Sequence, residues 1–161
     1  CNERATKPAV KRPSESVHVI VNGLLNPSNQ PRPKIEVAAG LVFRQGKLLI
    51  ARRYPEAELG GLWEFPGGKR ETGETFEACL ARELREELGI EVAVEELVES
   101  LTHAYPERTV CLRFYRCRWL QHEPRPLGCQ KCKWVSPESL ADYAFPAADA
   151  RLLEKLGRRF S

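Results

Sequence analysis

Residues Gly68 to Ile90 read GKRETGETFEACLARELREELGI, and this stretch decides the fold because helix grammar and chemistry coincide in it. Thr75 has the character of an N-cap, Glu77 sits in the first turn where the helix dipole favours an acid, and Gly89 supplies a C-terminal stop. Between them Phe76, Leu80, Leu84 and Leu88 recur at every fourth position and predict an amphipathic helix with one core-facing stripe. With Leu80 as origin and about 100° per residue, Leu84 lies at roughly +40°, Glu87 at roughly −20°, Glu83 at roughly −60° and Glu86 at roughly −120°. Glu87 is therefore expected inside the apolar arc, partly buried, where an unpaired carboxylate is costly. A divalent cation, or Arg82 and Arg85, would offset that cost. A solvated helix laced with Arg–Glu pairs accounts for Arg82–Glu86 at i,i+4. It accounts neither for Glu87 on the apolar side nor for the Gly67-Gly68 loop with Glu74 upstream.

Carboxylates gathered beside basic residues suit a divalent metal and a phosphate chain. The donors are all oxygen, which points to Mg²⁺, with Mn²⁺ as a substitute, and away from Zn²⁺. Such ions act as Lewis acids on phosphoryl oxygens, and positioning with charge neutralisation carries most of phosphoryl transfer.

The rest of the chain bounds this reading. Its 161 residues suit one domain with a tail. A formal charge of +3 gives no strong signal for a nucleic-acid polymer as partner. Basic residues do gather near the motif (Arg52, Arg53, Lys69, Arg70, Arg82, Arg108), and one or two of them could hold a triphosphate. No apolar run reaches membrane-spanning length and no hydrophobic signal region is present, so no membrane partner is expected. The six cysteines, at 1, 79, 111, 117, 129 and 132, are scattered and fit a reduced, cytoplasmic protein. Cys129-x-x-Cys132 is either half a zinc site or a redox pair, with no second pair at matching spacing to complete the former. Cys1 in a chain without Met suggests processing. Oligomeric state is left open.

Residues 1–34 carry five prolines, at 8, 13, 27, 31 and 33, and read as a tail or linker, with Val17–Val21 as an extra strand inside it. A globular domain spans 35–161. Residues 35–44 and 47–53 form a hairpin around Gln45-Gly46, Trp63-Glu64-Phe65 a short strand, 91–103 an extended stretch, and Thr109–Trp119 and Lys133–Val135 further strands. Cys111, Arg113, Tyr115 and Cys117 share one face of the long strand; Val110, Leu112, Phe114 and Arg116 share the other. Ser136-Pro137 opens a helix, and a last helix covers roughly 148–159 with Leu152, Leu153 and Leu156 facing in. The expected fold class is α+β, a mixed sheet with helices on both faces.

The spacing Gly68-x5-Glu74-x7-Arg82-Glu83-Leu84-x-Glu86-Glu87-x-Gly89-Ile90 resembles the full signature of the Nudix hydrolase family. Seven positions are fixed by type, so a chance match is on the order of one in a billion per site. The runs Glu64-Phe65-Pro66-Gly67-Gly68-Lys69, Tyr105-Pro106-Glu107-Arg108 and Phe145-Pro146-Ala147-Ala148-Asp149 extend the resemblance to the MutT-like branch over nearly all of 35–158. The resemblance implies an α/β/α sandwich with a mixed central sheet. It also implies Mg²⁺-dependent cleavage of nucleoside triphosphates, oxidised or non-canonical ones included, to monophosphate and pyrophosphate, sanitising the nucleotide pool. It places Glu83, Glu86, Glu87 and the Gly67 carbonyl on the metal, with Arg82 and Glu74 completing the catalytic set. Arg53, Lys69 and Arg108 would hold phosphate and substrate; Phe65 and Asp149 would form the base pocket.

Two positions depart from that pattern. Enzymes of the branch that clean up 8-oxo-dGTP often carry Asn where this chain has Asp149. An ionised Asp accepts hydrogen bonds only, unless burial raises its pKa, and so suits the exocyclic amino group of cytosine or guanine. The family also places a further Glu before the Trp134 strand. Alignment on Trp134 puts Gly128 there, with Glu123 the nearest upstream carboxylate, which predicts a slower enzyme or a base role for Glu83. The alternative reading is an oxidised-guanine recognition module of a larger adenine DNA glycosylase; such modules usually lack an intact signature.

Overall fold

The computed structural model describes residues 32–160. Its elements run β1 (Lys34–Arg44), β2 (Lys47–Arg52), β3 (Trp63–Glu64), β4 (Gly67–Lys69), α1 (Phe76–Leu88), β5 (Glu91–Ala104), β6 (Thr109–Gln121), β7 (Lys131–Val135) and α2 (Ala150–Phe160). The expected tail and the strand at 17–21 lie outside the described residues. The strands form one mixed sheet in the order β3-β2-β1-β6-β5, with β4 added to β1 and β7 to β2. β1 and β6 run parallel from Lys34↔Thr109 to Phe43↔Arg118, and every other pairing is antiparallel.

Alternation along the strands loads both faces. Ala38, Val42, Leu49, Ala51, Tyr115 and Cys117 pack under α1 through Leu80, Leu84 and Leu88. Ala39, Leu41, Leu48, Ile50 and Phe114 point the other way and meet Leu152 and Leu156 of α2. The period of two on the strands meets the period of 3.6 on each helix, and the result is the expected α/β/α sandwich. The face assignments for β6 hold: Tyr115 and Cys117 lie on one side, Phe114 and Leu112 on the other. No helix among the described residues is long and apolar enough to cross a membrane.

Three local expectations are corrected. Gly67-Gly68-Lys69 is a strand pairing with Val37–Ala39 and not a loop. The backbones approach so closely that a Cβ on Gly67 would fall 1.9 Å from the Ala38 carbonyl oxygen, which only glycine permits. The helix expected at Ser136-Pro137 is a 3-10 turn, Pro137–Asp142, in which Ser136 caps no backbone N–H and Tyr143 closes on the Leu140 carbonyl. The last helix begins at Ala150, after a separate 3-10 turn at Ala147–Asp149 that follows Pro146.

Candidate active site

Local sequence builds the first half of the site. Thr75 Oγ1 accepts from the Ala78 N–H at 3.0 Å, and Gly89, left-handed at φ 68°, closes α1 onto the Arg85 carbonyl. The two caps fix the helix phase, and with it the direction of every carboxylate on it. Arg82 sits at the centre of these acids. Its Nη2 reaches Glu74 Oε1 at 2.7 Å, its Nε reaches Glu74 Oε2 at 3.1 Å, and its Nη1 lies 2.8 Å from Glu83 Oε1 and 3.5 Å from Glu86 Oε2. Nη2 also donates to the Lys69 carbonyl at 3.2 Å, tying β4 to α1. The guanidinium, with the Glu71 N–H, holds the Glu74 carboxyl down at about 2, and its acidic partners raise Arg82 itself.

The order of burial differs from the helical-wheel expectation. Glu87 is half-buried as expected, but Glu83 is the buried member, 7% exposed. The reason is Gly68: a Cβ there would fall 2.3 Å from Glu83 Cδ, so the carboxylate is lodged against bare backbone. A helical wheel records direction only, and β4 arriving at that angle is a tertiary event. Glu86 is exposed.

Glu83, Glu86 and Glu87 project from one helix as hard oxygen donors, and Glu83 has a glycine-lined seat. The donor set fits a divalent ion of the Mg²⁺ or Ca²⁺ type in kind. In charge arrangement the cation among these acids is Arg82; among the described residues no three His, Cys, Asp or Glu side chains converge as a metal cluster.

Gly128, aligned with the family's further Glu, lies against Glu87 of α1. Its N–H and that of Leu127 each donate to the Glu87 carbonyl at 3.0 Å, and a Cβ on Gly128 would come within 3.0 Å of Glu87 Cγ. The loop is drawn down onto Glu87, so the missing carboxylate is replaced by closer packing. Glu123 does not substitute for it: that side chain pairs with Arg44 at 2.6 Å and is 71% exposed, while Arg44 stacks 3.9 Å over Trp119.

The second half comes from residues distant in sequence. Arg53, just beyond β2, sends Nη1 to Glu64 Oε2 at 2.6 Å and Nε to the Glu58 carbonyl at 2.7 Å. Asp149 is 6% exposed; burial first, and then the charge of Glu64, push its carboxyl up to about 6. Burial also raises Glu64, against the pull of Arg53. Phe65 is core, 4% exposed, with ring centroids 5.1 Å from Phe145 and 6.2 Å from Phe114. It therefore backs Phe145, which is half-buried, and offers little surface of its own. Lys69 is exposed. Arg108 Nη2 lies 3.5 Å from Glu58 Oε1, and its guanidinium sits over the Tyr105 ring at 5.6 Å.

Cys129 is buried, 5% exposed. Its thiol is pushed up to about 12 by burial, with the Cys132, Glu87 and Glu64 charges adding. Both Cys129 and Cys132 are free thiols.

Glu64 and Glu58 were assigned no role from sequence. For Glu64 a signal existed: it is the charged residue between Trp63 and Phe65, so the period of two turns it away from the aromatic face. For Glu58, in a loop, no periodicity could have found it.

The family model described as NUDIX domain matches residues 38–155. A CTP pyrophosphohydrolase of Escherichia coli K12 is 40% identical over 120 residues, which cover 74% of this chain and 89% of that protein. An 8-oxo-dGTP diphosphatase of the same organism is 35% identical over 126 residues, 78% of this chain and 98% of that protein. The solution structure of the E. coli ORF135 protein superposes with a TM-score of 0.66 at 38% identity, covering 76% of this chain and 88% of that one.

Proposed function

This chain belongs to the Nudix family, and on that footing we propose that it is a metal-dependent nucleoside triphosphate pyrophosphohydrolase, releasing pyrophosphate and a nucleoside monophosphate in service of nucleotide-pool sanitation. The observation that carries this is the capped helix α1 with Glu83 seated on Gly68 beside Glu86 and Glu87. Mg²⁺, or Mn²⁺ in its place, would be held by Glu83, Glu86, Glu87 and the Gly67 carbonyl, and supplies charge neutralisation and Lewis acidity at phosphoryl oxygens. With such an ion held, Glu83 and Glu86 would turn from Arg82 Nη1 to the metal, and Arg82 would stay on Glu74 through Nη2 and Nε. Glu83, the most buried of the three acids on α1, would take a proton from the attacking water, since Gly128 offers no carboxylate.

Arg53, Arg108 and Lys69 supply positive charge for the phosphate chain. Asp149, with Glu64 behind it, presents acceptors to the base. Near neutral pH a carboxyl titrating at about 6 is mostly ionised. It suits an amino-bearing edge, as cytosine and guanine both have, and the two E. coli relatives are named for a cytidine and for an oxidised guanine nucleotide. Phe145, backed by Phe65, is the stacking surface.

Residues 35–161 then form the catalytic domain and 1–34 its tail, in a reduced cytoplasmic protein whose described cysteines are free thiols. No observation favours the alternative of a DNA-glycosylase recognition module. Pyrophosphate release with Mg²⁺ from 8-oxo-dGTP, dGTP, dCTP, CTP and 5-methyl-dCTP tests the reading, with Glu87→Gln as the blank. Turnover lost in the variant supports it; absence of turnover on the whole panel removes it.

A further inference from the structure

The two arginines assigned to the substrate are not independent: one residue of the loop between β2 and β3 holds both. The Glu58 carbonyl accepts from Arg53 Nε at 2.7 Å, while the Glu58 carboxylate lies 3.5 Å from Arg108 Nη2. This loop is folded tightly on its own base. The Arg53 N–H donates to the Leu62 carbonyl at 2.9 Å, Arg52 Nε to the Gly61 carbonyl at 3.0 Å, and the Ala57 N–H to the Tyr54 carbonyl at 3.1 Å. A Cβ on Gly60 would fall 2.1 Å from the Pro55 carbonyl oxygen. The next residue back, Leu59, sits at φ 57° with its side chain 54% exposed, a left-handed conformation uncommon for such a residue. The backbone arm to Arg53 is thus part of a built scaffold. The side-chain arm to Arg108 is not: its partners are 41% and 64% exposed, a pair that contributes little on its own.

We propose that Glu58 is a positioning residue that fixes Arg53 through its carbonyl and occupies Arg108 through its carboxylate until a polyphosphate displaces it. This rests on the reading that Arg53 and Arg108 hold substrate. A carboxylate and a phosphate are alternative partners for one guanidinium, and the phosphate chain carries the greater charge. The loop bearing Tyr54 and Leu59 and the loop bearing Tyr105 are therefore linked, weakly, across Glu58–Arg108 before substrate arrives.

Glu58→Gln isolates the side-chain arm, because it removes the carboxylate charge at nearly constant shape and leaves the backbone carbonyl that serves Arg53 in place. The experiment measures kcat and KM for CTP and 8-oxo-dGTP with Mg²⁺ in wild type, Glu58→Gln, Arg108→Gln and the double variant. Release of an exposed ion pair predicts that Glu58→Gln lowers KM by about two- to fivefold, with a smaller change in kcat. In the Arg108→Gln background the same substitution then leaves KM where it was. KM unchanged or raised by Glu58→Gln, while Arg108→Gln raises it, overturns the competition and leaves the substrate role of Arg108 standing. An equal fall in both backgrounds also overturns it, since the effect then bypasses Arg108. If Arg108→Gln itself leaves KM unmoved, the reading beneath the proposal falls with it.

Discussion

The two halves of the site hold carboxylates by opposite physics. On α1 the acids surround Arg82, and Glu74 is held down at about 2 by that guanidinium. In the other half Asp149 is buried beside another acid and pushed up to about 6. One half gathers negative charge around a guanidinium. The other holds its acid in a buried place, where the neutral form is favoured. A single sheet positions both, but the first half is built within 23 residues of sequence and the second from residues 53, 58, 64, 108 and 149.

The largest expected effect lies in the first half. Glu83→Gln keeps the shape but removes the charge seated on Gly68, and loss of a positioned acid–base or metal-holding group costs about 10²- to 10⁴-fold in kcat. Pyrophosphate release measured at saturating Mg²⁺ checks it. A loss under tenfold would mean that the buried carboxylate is structural, and the contrast between the halves would lose its chemical meaning.

Gly68→Ala breaks the same half by geometry alone. The added methyl group would enter space held by Glu83 Cδ, Oε2 and Cγ at 2.3, 2.5 and 2.7 Å, so the carboxylate must move. Displacement on the order of 1 Å costs about 10²-fold in rate. The expected result is a kcat reduced by that order with KM little changed. An unaltered kcat would show that Glu83 can swing away from β4 and still serve.

This contrast also explains what was legible in the sequence. The caps at Thr75 and Gly89, the stripe Phe76, Leu80, Leu84 and Leu88, the hairpin of β1 and β2, and the two faces of β6 are local patterns, and each appears as read. The burial order of Glu83 and Glu87 was not legible, because it depends on β4 crossing the helix face at Gly68. Phe65 and Asp149 could be placed by resemblance. That Phe65 stands behind Phe145, or that Glu64 lies between Arg53 and Asp149, depends on how distant segments meet: the Trp63 N–H bonded to the Ala144 carbonyl at 2.8 Å is the contact that brings β3 to that segment. The Gly128 departure was visible, but its consequence, a loop packed onto Glu87, needed three dimensions.

A pH series sets the halves against each other. Asp149 titrates near 6 when folded against an ordinary 3.8, so the folded state binds the proton more tightly. Stability contributed by this group is then full below about 3.8 and is lost as pH rises through about 6. Asp149→Asn should therefore melt like wild type at pH 4 and above it at pH 7.5. Each tenfold change in proton affinity is worth about 1.4 kcal/mol, which bounds the gain at about 3 kcal/mol. Glu74 runs the other way: its folded value is lowered to about 2 from 4.5, so its contribution is present above 4.5 and is lost as pH falls toward 2. Glu74→Gln should melt below wild type at pH 7.5, by a smaller margin because the pair is partly solvated, and the gap should close on acidification. Thermal melts of both variants across that range give two difference curves of opposite sign. Curves of the same sign would show that burial, and not the local partner, governs both carboxyls, and the distinction drawn between the halves would fail at its root.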